Sequence, residues 1–119
     1  MAIDTALMFR DGSSDLTADE LTPTALDFRG IDYKPMVYHV NVPEVSADDT
    51  LDVIIQGSDN NSDFVNVLSF PQISAVGLYR LEGVVNYRYR RATCNVTGVD
   101  TDFGAVKIWA APAGDYTNF

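Results

Sequence analysis

The fold class is decided by a stretch of alternating residues, Met36-Val37-Tyr38-His39-Val40-Asn41-Val42. Every second side chain is apolar or aromatic: Met36, Tyr38, Val40 and Val42. This is the period of a β-strand that turns one face toward a core. The stretch is too short for a stable helix and has no helical period, so a strand is predicted here.

Five further strands are predicted after this one. They span residues 50–56, 64–70, 77–81, 87–96 and 105–110. Clusters of Gly, Pro, Asn, Asp and Ser separate them, and these residue types favour turns. Short strands at this spacing are typical of an antiparallel β-sandwich or barrel, so the chain is predicted to be all-β.

The first 30 residues are more polar and less regular than the rest. Short alternations occur at residues 5–10 and 24–28, and residues 16–21 could form a single helical turn. We therefore predict that residues 1–30 form either an arm that leaves the body or a segment that caps the sandwich edge. Residues 31–119 are predicted to form the β-sandwich domain.

The composition of the chain disfavours two kinds of partner, nucleic acids and membranes. The chain has 119 residues and a net charge of −9, which suits one acidic domain that phosphate backbones repel, so no nucleic-acid partner is predicted. No apolar run approaches the roughly 18–20 residues that span a bilayer, so no membrane partner is predicted. The first residues lack the pattern of a secretory signal, and we expect synthesis in the cytoplasm.

No catalytic apparatus is recognisable, so the chain is predicted not to be an enzyme and to need no cofactor. His39 is the only histidine, and alternation places it opposite Tyr38 and Val40, which predicts a surface or rim residue. Cys94 is the only cysteine and shares a face with Ala92 and Val96, so it is predicted to be a small buried core residue.

Two acidic loops were considered as metal sites. Residues 59–63 and 100–102 offer oxygen ligands of the kind that calcium prefers, but neither has the frame of an EF-hand. Asp and Asn also form turns for backbone reasons alone. We therefore predict no metal site.

The densest group of cations is Tyr87-Arg88-Tyr89-Arg90-Arg91. In a strand, Arg88 and Arg90 share one face. Aromatic and arginine side chains together can stack on bases or form a protein interface, since Tyr and Arg are enriched in binding hot spots. They can also form a solvated face whose arginines offset acids on neighbouring strands. The acidity of the domain disfavours the first of these three interpretations.

Three stretches together resemble a known family. They are Phe9-Arg10-Asp11-Gly12, residues 51–59, and residues 87–98 with their Tyr-Arg-Tyr-Arg-Arg start. They resemble the head decoration (cement) proteins of tailed bacteriophages and related small virion proteins, in order and layout over most of the chain. The resemblance implies a jelly-roll-like β-sandwich that assembles as a small oligomer on the outside of a capsid. It implies no catalytic residues.

The function predicted from this resemblance is a structural virion protein that decorates and stabilises a phage capsid. Its partners would be the major capsid protein and further copies of itself, as a trimer or dimer, on the capsid surface. The candidate contact residues are Leu7, Phe9, Arg10, Arg88 and Arg90. The alternative is a tail-associated or carbohydrate-binding module, in which Trp109, Tyr79 or Tyr116 would stack on sugar rings.

Overall fold

A computed structural model of the chain describes residues 7–29 and 34–112. This part contains no α-helix and eight strands, which confirms the prediction of an all-β protein. The strands are β1 (Met8–Asp11), β2 (Leu26–Asp27), β3 (Met36–Val42), β4 (Thr50–Ser58), β5 (Val65–Ser69), β6 (Gly77–Gly83), β7 (Tyr89–Thr97) and β8 (Lys107–Pro112).

The strands form two antiparallel sheets of four. The first sheet has the order β1-β8-β3-β6, and the second has the order β2-β7-β4-β5. This is the strand order of an eight-stranded jelly roll. The predicted antiparallel, jelly-roll-like β-sandwich is therefore confirmed, and β1, β6, β2 and β5 are its edge strands.

The core lies between the sheets and follows the predicted alternation. In β3 the residues at every second position are buried in it: Met36, Tyr38, Val40 and Val42. The second sheet contributes Leu51, Val53 and Ile55 from β4, which face them. Burial of one face of each sheet is the main stabilising contribution in such a sandwich.

Strands β4 and β6 each continue two residues beyond the end expected from the pattern. β4 runs on to Ser58, because its pairing with β7 continues through Gly57 to Ser58. Gly57 permits this, since a Cβ atom there would lie 2.5 Å from a ring carbon of Tyr87. β6 runs on to Gly83, because it stays paired with β3 as far as Met36.

The single helical turn that residues 16–21 could have formed does not occur. The N–H of Leu16 donates to the carbonyl of Gly104 at 2.8 Å, and Glu20 and Cys94 exchange two backbone hydrogen bonds of 2.8 and 2.9 Å. These long-range bonds satisfy the backbone in an extended form, and the side chain of Leu16 enters the core at the same time. Together they outweigh the weak local preference for a helix.

Strands β1 and β2 come from the polar N-terminal segment. β1 pairs with β8 in the first sheet, and β2 pairs with β7 in the second. The segment between them is bonded through Leu16 to Gly104 and Phe103, and through Glu20 to Cys94 of β7. The sandwich therefore includes strands that precede residue 31.

Candidate interaction surface

Leu7 and Phe9 pack against the core from the start of β1. Both are partly buried and contact the main hydrophobic cluster. The ring of Phe9 stacks on Phe28 with centroids 5.9 Å apart and lies 6.2 Å from the ring of Tyr38. Phe9 thus joins the N-terminal segment to both sheets, and its contacts within the described chain are structural.

Arg10 holds the N-terminal segment against β8. Its guanidinium makes two hydrogen bonds to the carboxylate of Glu20, at 3.0 and 3.1 Å. It also donates to the carbonyls of Ser14 and Val106, both at 2.9 Å. Only 10% of the Arg10 side chain is exposed. These bonds use the planar fork of arginine to tie together three parts of the chain.

Arg88 remains partly exposed and forms an ion pair with the edge strand β2. Its Nε and Nη2 atoms donate to the two carboxylate oxygens of Asp27, at 3.0 and 2.9 Å. This hydrogen-bonded pair lowers the pKa of Asp27 to about 2. Arg88 also lies over the ring of Tyr89, 4.8 Å from its centroid. Its predicted role as a contact residue stays a prediction.

Arg90 is a correction to the sequence analysis, because its side chain is 0% exposed. Its Nη1 donates to the hydroxyl of Tyr38 at 2.8 Å, and its Nε donates to the carbonyl of Tyr87 at 3.1 Å. The guanidinium also lies 4.3 Å from the centroid of the Phe28 ring. A buried cation needs such partners, and here the fold itself supplies them. Arg90 is therefore not available to a partner in this structure.

Burial raises the pKa of the Tyr38 hydroxyl, and the charge of Arg90 beside it offsets part of that effect. Tyr38 thus stays protonated while it accepts the hydrogen bond from Arg90. The next cation on the strand, Arg91, points the opposite way, where its Nε donates to the side-chain carbonyl of Gln56 at 2.7 Å. The arginine-rich stretch is therefore divided between the core and the outer face of the second sheet.

Cys94 lies in the core between the sheets, as predicted. Burial, together with the neighbouring charge of Glu20, raises the pKa of its thiol to about 12. The thiolate is the reactive form, so the native thiol is nearly inert at neutral pH.

We expect iodoacetamide at pH 8 to label Cys94 very slowly in the native protein and rapidly in urea. Cys94 is the only cysteine, so mass spectrometry follows one site without ambiguity. The unfolded chain serves as its own control. Rapid labelling under native conditions would show that the thiol is accessible and contradict its placement in the core.

His39 is not at the surface or rim, contrary to the prediction. It is buried, and its imidazole stacks on the indole of Trp109 with centroids 4.8 Å apart and planes within 1°. Trp109 is its cross-strand partner on β8, and Arg80 is its partner on β6. Burial lowers the pKa of His39, and the charge of Arg80 lowers it further, so the ring is neutral at pH 7.

The aromatic residues proposed for sugar stacking are not open platforms. Trp109 is 8% exposed and has one face against His39. Tyr79 is half-buried, packs against the core, and donates its hydroxyl to the carbonyl of Ala75. Tyr116 lies outside the described residues.

The Asp- and Asn-rich loop after β4 closes on itself. The side-chain carbonyl of Asn60 accepts hydrogen bonds from the N–H groups of Ser62 and Asp63, at 3.0 and 2.9 Å. Among residues 7–29 and 34–112, no three His, Cys, Asp or Glu side chains are grouped so that they could hold a metal ion. The same residues include no helix that is long and apolar enough to cross a membrane.

A row of side chains along the edge strand β6 was not predicted from the sequence. This row, here called the β6 row, consists of Leu78, Arg80 and Glu82 on β6 and of Val84, which directly follows the strand. Leu78 and Val84 are 41% and 44% exposed, and the two charged residues are exposed between them. The alternation was visible in the sequence, but the predicted strand stopped at Leu81 and nothing marked it as an edge.

The β6 edge differs from the three other edges of the sandwich. β1 has four residues and a register shift, β2 has two residues, and β5 has five residues beside a register shift in its pairing. β6 has seven residues, all paired with β3 without a shift. Bulges and short length are common ways to prevent edge pairing, and β6 has neither.

Within the part of the chain that the structure describes, these features define a jelly-roll β-sandwich with one long, regular edge strand, β6. Comparison of the sequence with protein-family models and with curated proteins finds no match.

Proposed function

We propose that the protein is a structural component of a tailed-bacteriophage virion that decorates and stabilises the capsid through protein–protein contacts. Its partners are the major capsid protein and further copies of itself, as a dimer or trimer. Its location is the capsid surface, after synthesis in the host cytoplasm. The support from sequence is the resemblance of residues 9–12, 51–59 and 87–98 to head decoration proteins.

The structural observation that carries the proposal is the open β6 edge. Proteins bind one another at exposed strand edges, where main-chain hydrogen bonds provide affinity and alternate side chains provide specificity. The eight-stranded jelly roll is also an architecture that viral capsid domains use, although a shared fold is only an analogy for function. A net charge of −9 suits a protein that must stay soluble at high copy number.

The rigidity of the sandwich supports the same role. Arg10 and Arg90 cross-link separate parts of the chain, and the core extends from Leu16 at one end to Phe28 and Tyr38. A rigid subunit loses little conformational entropy when it binds, so many modest contacts can add up to stable attachment.

The test uses heads that have been assembled without this protein. We expect the purified chain to cosediment with them, to saturate at a fixed number of copies per head, and to raise the temperature at which the heads release DNA. An unrelated acidic protein of similar size is the control for non-specific adsorption. Absence of binding at saturating protein concentration, or binding to purified tails instead of heads, would contradict the proposal.

A further inference from the structure

We propose that the chain forms a two-fold symmetric dimer in which β6 pairs antiparallel with β6 of a second copy, centred on Leu81. The inference deepens the self-association part of the proposed function, while contact with a capsid is a separate matter. It joins the two first sheets into one continuous sheet of eight strands.

The β6 backbone is regular along its whole length. Seven consecutive residues, Gly77–Gly83, pair with β3 on one side without a register shift. On its other side, β6 has no partner strand among the described residues. An edge strand carries unpaired N–H and C=O groups along that side, which form a template for another strand.

The charge pattern of the β6 row fits the same pairing. An antiparallel pair centred on Leu81 places Arg80 opposite Glu82 of the second copy, and symmetry repeats the pair. Two complementary ion pairs then lie side by side at the centre of the interface. Neither Arg80 nor Glu82 makes an ion pair with a described residue within its own chain. Opposite charges directly across a strand pair are stabilising.

The same register also matches the apolar ends of the row. Continued by one residue beyond the end of β6, it brings Leu78 opposite Val84 of the second copy, and the symmetric contact repeats this pair. Both side chains are more than 40% exposed in the single chain, so each gains burial from the contact. The row Leu78, Arg80, Glu82 and Val84 is thus complementary to itself when it is read in the opposite direction.

The register is also consistent with strand geometry. Leu78, Arg80 and Glu82 pair with Asn41, His39 and Val37 across β3, and thus lie on the outer face of the first sheet. Tyr79 and Leu81 pack against the core instead. An axis at Leu81 pairs even-numbered residues only with even-numbered ones, as the alternation of faces across an antiparallel ladder requires.

The test is a charge-reversal cycle followed by sedimentation velocity over a concentration series. Because a single strand pair buries less area than a standard interface, we expect the wild-type dimer to dissociate on dilution. In a dimer of Arg80→Glu, two pairs of glutamates face each other across the interface. In a dimer of Glu82→Arg, two pairs of arginines face each other in the same way. We expect each variant to dimerise at least about 10-fold more weakly than the wild type.

The cycle then restores the complementarity in two ways. An equimolar mixture of Arg80→Glu and Glu82→Arg is expected to form a one-to-one heterodimer, because each acidic row then faces a basic row. The double variant Arg80→Glu/Glu82→Arg is expected to dimerise like the wild type. Lys34→Glu and Asp15→Arg make matched charge changes at exposed positions outside β6 and are expected to leave the dimer unchanged.

A wild-type chain that stays monomeric, or forms a trimer, at the highest concentration would overturn the inference. So would single variants that dimerise normally, or a mixture that does not form the heterodimer. Thermal unfolding of each variant verifies that it is folded, and recovery in the mixture verifies it independently. The head-binding assay is scored separately on the wild type and on Arg80→Glu, so a failure of the dimer and a failure of head binding are distinguishable.

Discussion

Replacing Arg90 with alanine is expected to lower the free energy of unfolding by about 3 kcal/mol or more. The substitution leaves a cavity beside Phe28, and it removes the donor to the Tyr38 hydroxyl and to the Tyr87 carbonyl. Unsatisfied polar groups in a core cost about 1–3 kcal/mol each, in addition to the lost packing. Urea unfolding followed by circular dichroism measures the change.

The matched control is Arg88→Ala, two residues earlier. Its side chain is about one-third exposed and forms an ion pair with Asp27 at the surface, so we expect a loss of about 1 kcal/mol or less. Equal losses at the two positions would contradict the assignment of Arg90 to the core. The comparison therefore tests directly which arginine the fold uses and which one it leaves partly exposed.

Replacing Leu16 with alanine is expected to destabilise the protein by about 2.5–5 kcal/mol. Leu16 is 0% exposed and lies within the hydrophobic core, although it belongs to a polar stretch of sequence. Its backbone is held by bonds to Gly104 and Phe103, so the chain around it cannot easily collapse into the cavity. Chemical unfolding of the variant measures the loss.

Leu21→Ala is the control, since it makes the same substitution five residues later at a side chain that is 52% exposed. We expect a change within about 0.5 kcal/mol of zero there. If both substitutions changed the free energy of unfolding equally little, the N-terminal segment would be attached only loosely to the sandwich. That result would favour the arm that the sequence analysis kept as an alternative.

These expectations determine how the N-terminal segment can be studied. A deletion through Thr24 would remove Phe9, Arg10 and Leu16 together, which all stabilise the fold. We expect such a protein to unfold, so its oligomeric state would say nothing about an interface. Point variants at exposed positions, such as those of the β6 row, avoid this problem.

Much of the fold could be predicted from alternation alone. The inward faces of β3 and β4 and the burial of Cys94 follow from the spacing of apolar residues. A one-residue error in register would turn these residues toward water, so the pattern specifies the face strongly. For β7, Arg90 shares the parity of Ala92 and Cys94, which was a signal for burial. The charge of Arg90, in contrast, favours the solvent-facing side of β7.

The structure distinguishes the five candidate contact residues in a way that the sequence pattern does not, and Arg88 is partly exposed beside the edge strand β2. Leu7, Phe9 and Arg10 are occupied with contacts inside the chain, and Arg90 is fully buried. The β6 row was not found because exposure of an edge depends on strand order, which no local pattern contains. His39 was misplaced for the same reason, because its cover comes from Trp109, which is distant in sequence.

The sequence by itself determined the all-β class, the positions of most strands and the residues of the core, because alternating burial is a local property of a strand. Only the tertiary structure decided where the charges and the edges lie. Arg90 can be buried because Tyr38, 52 residues away in sequence, accepts its hydrogen bond. Among the described strands, β6 has a partner on one side only, because the jelly-roll order places it last in its sheet. Both depend on contacts between distant parts of the chain, and such contacts exist only after folding.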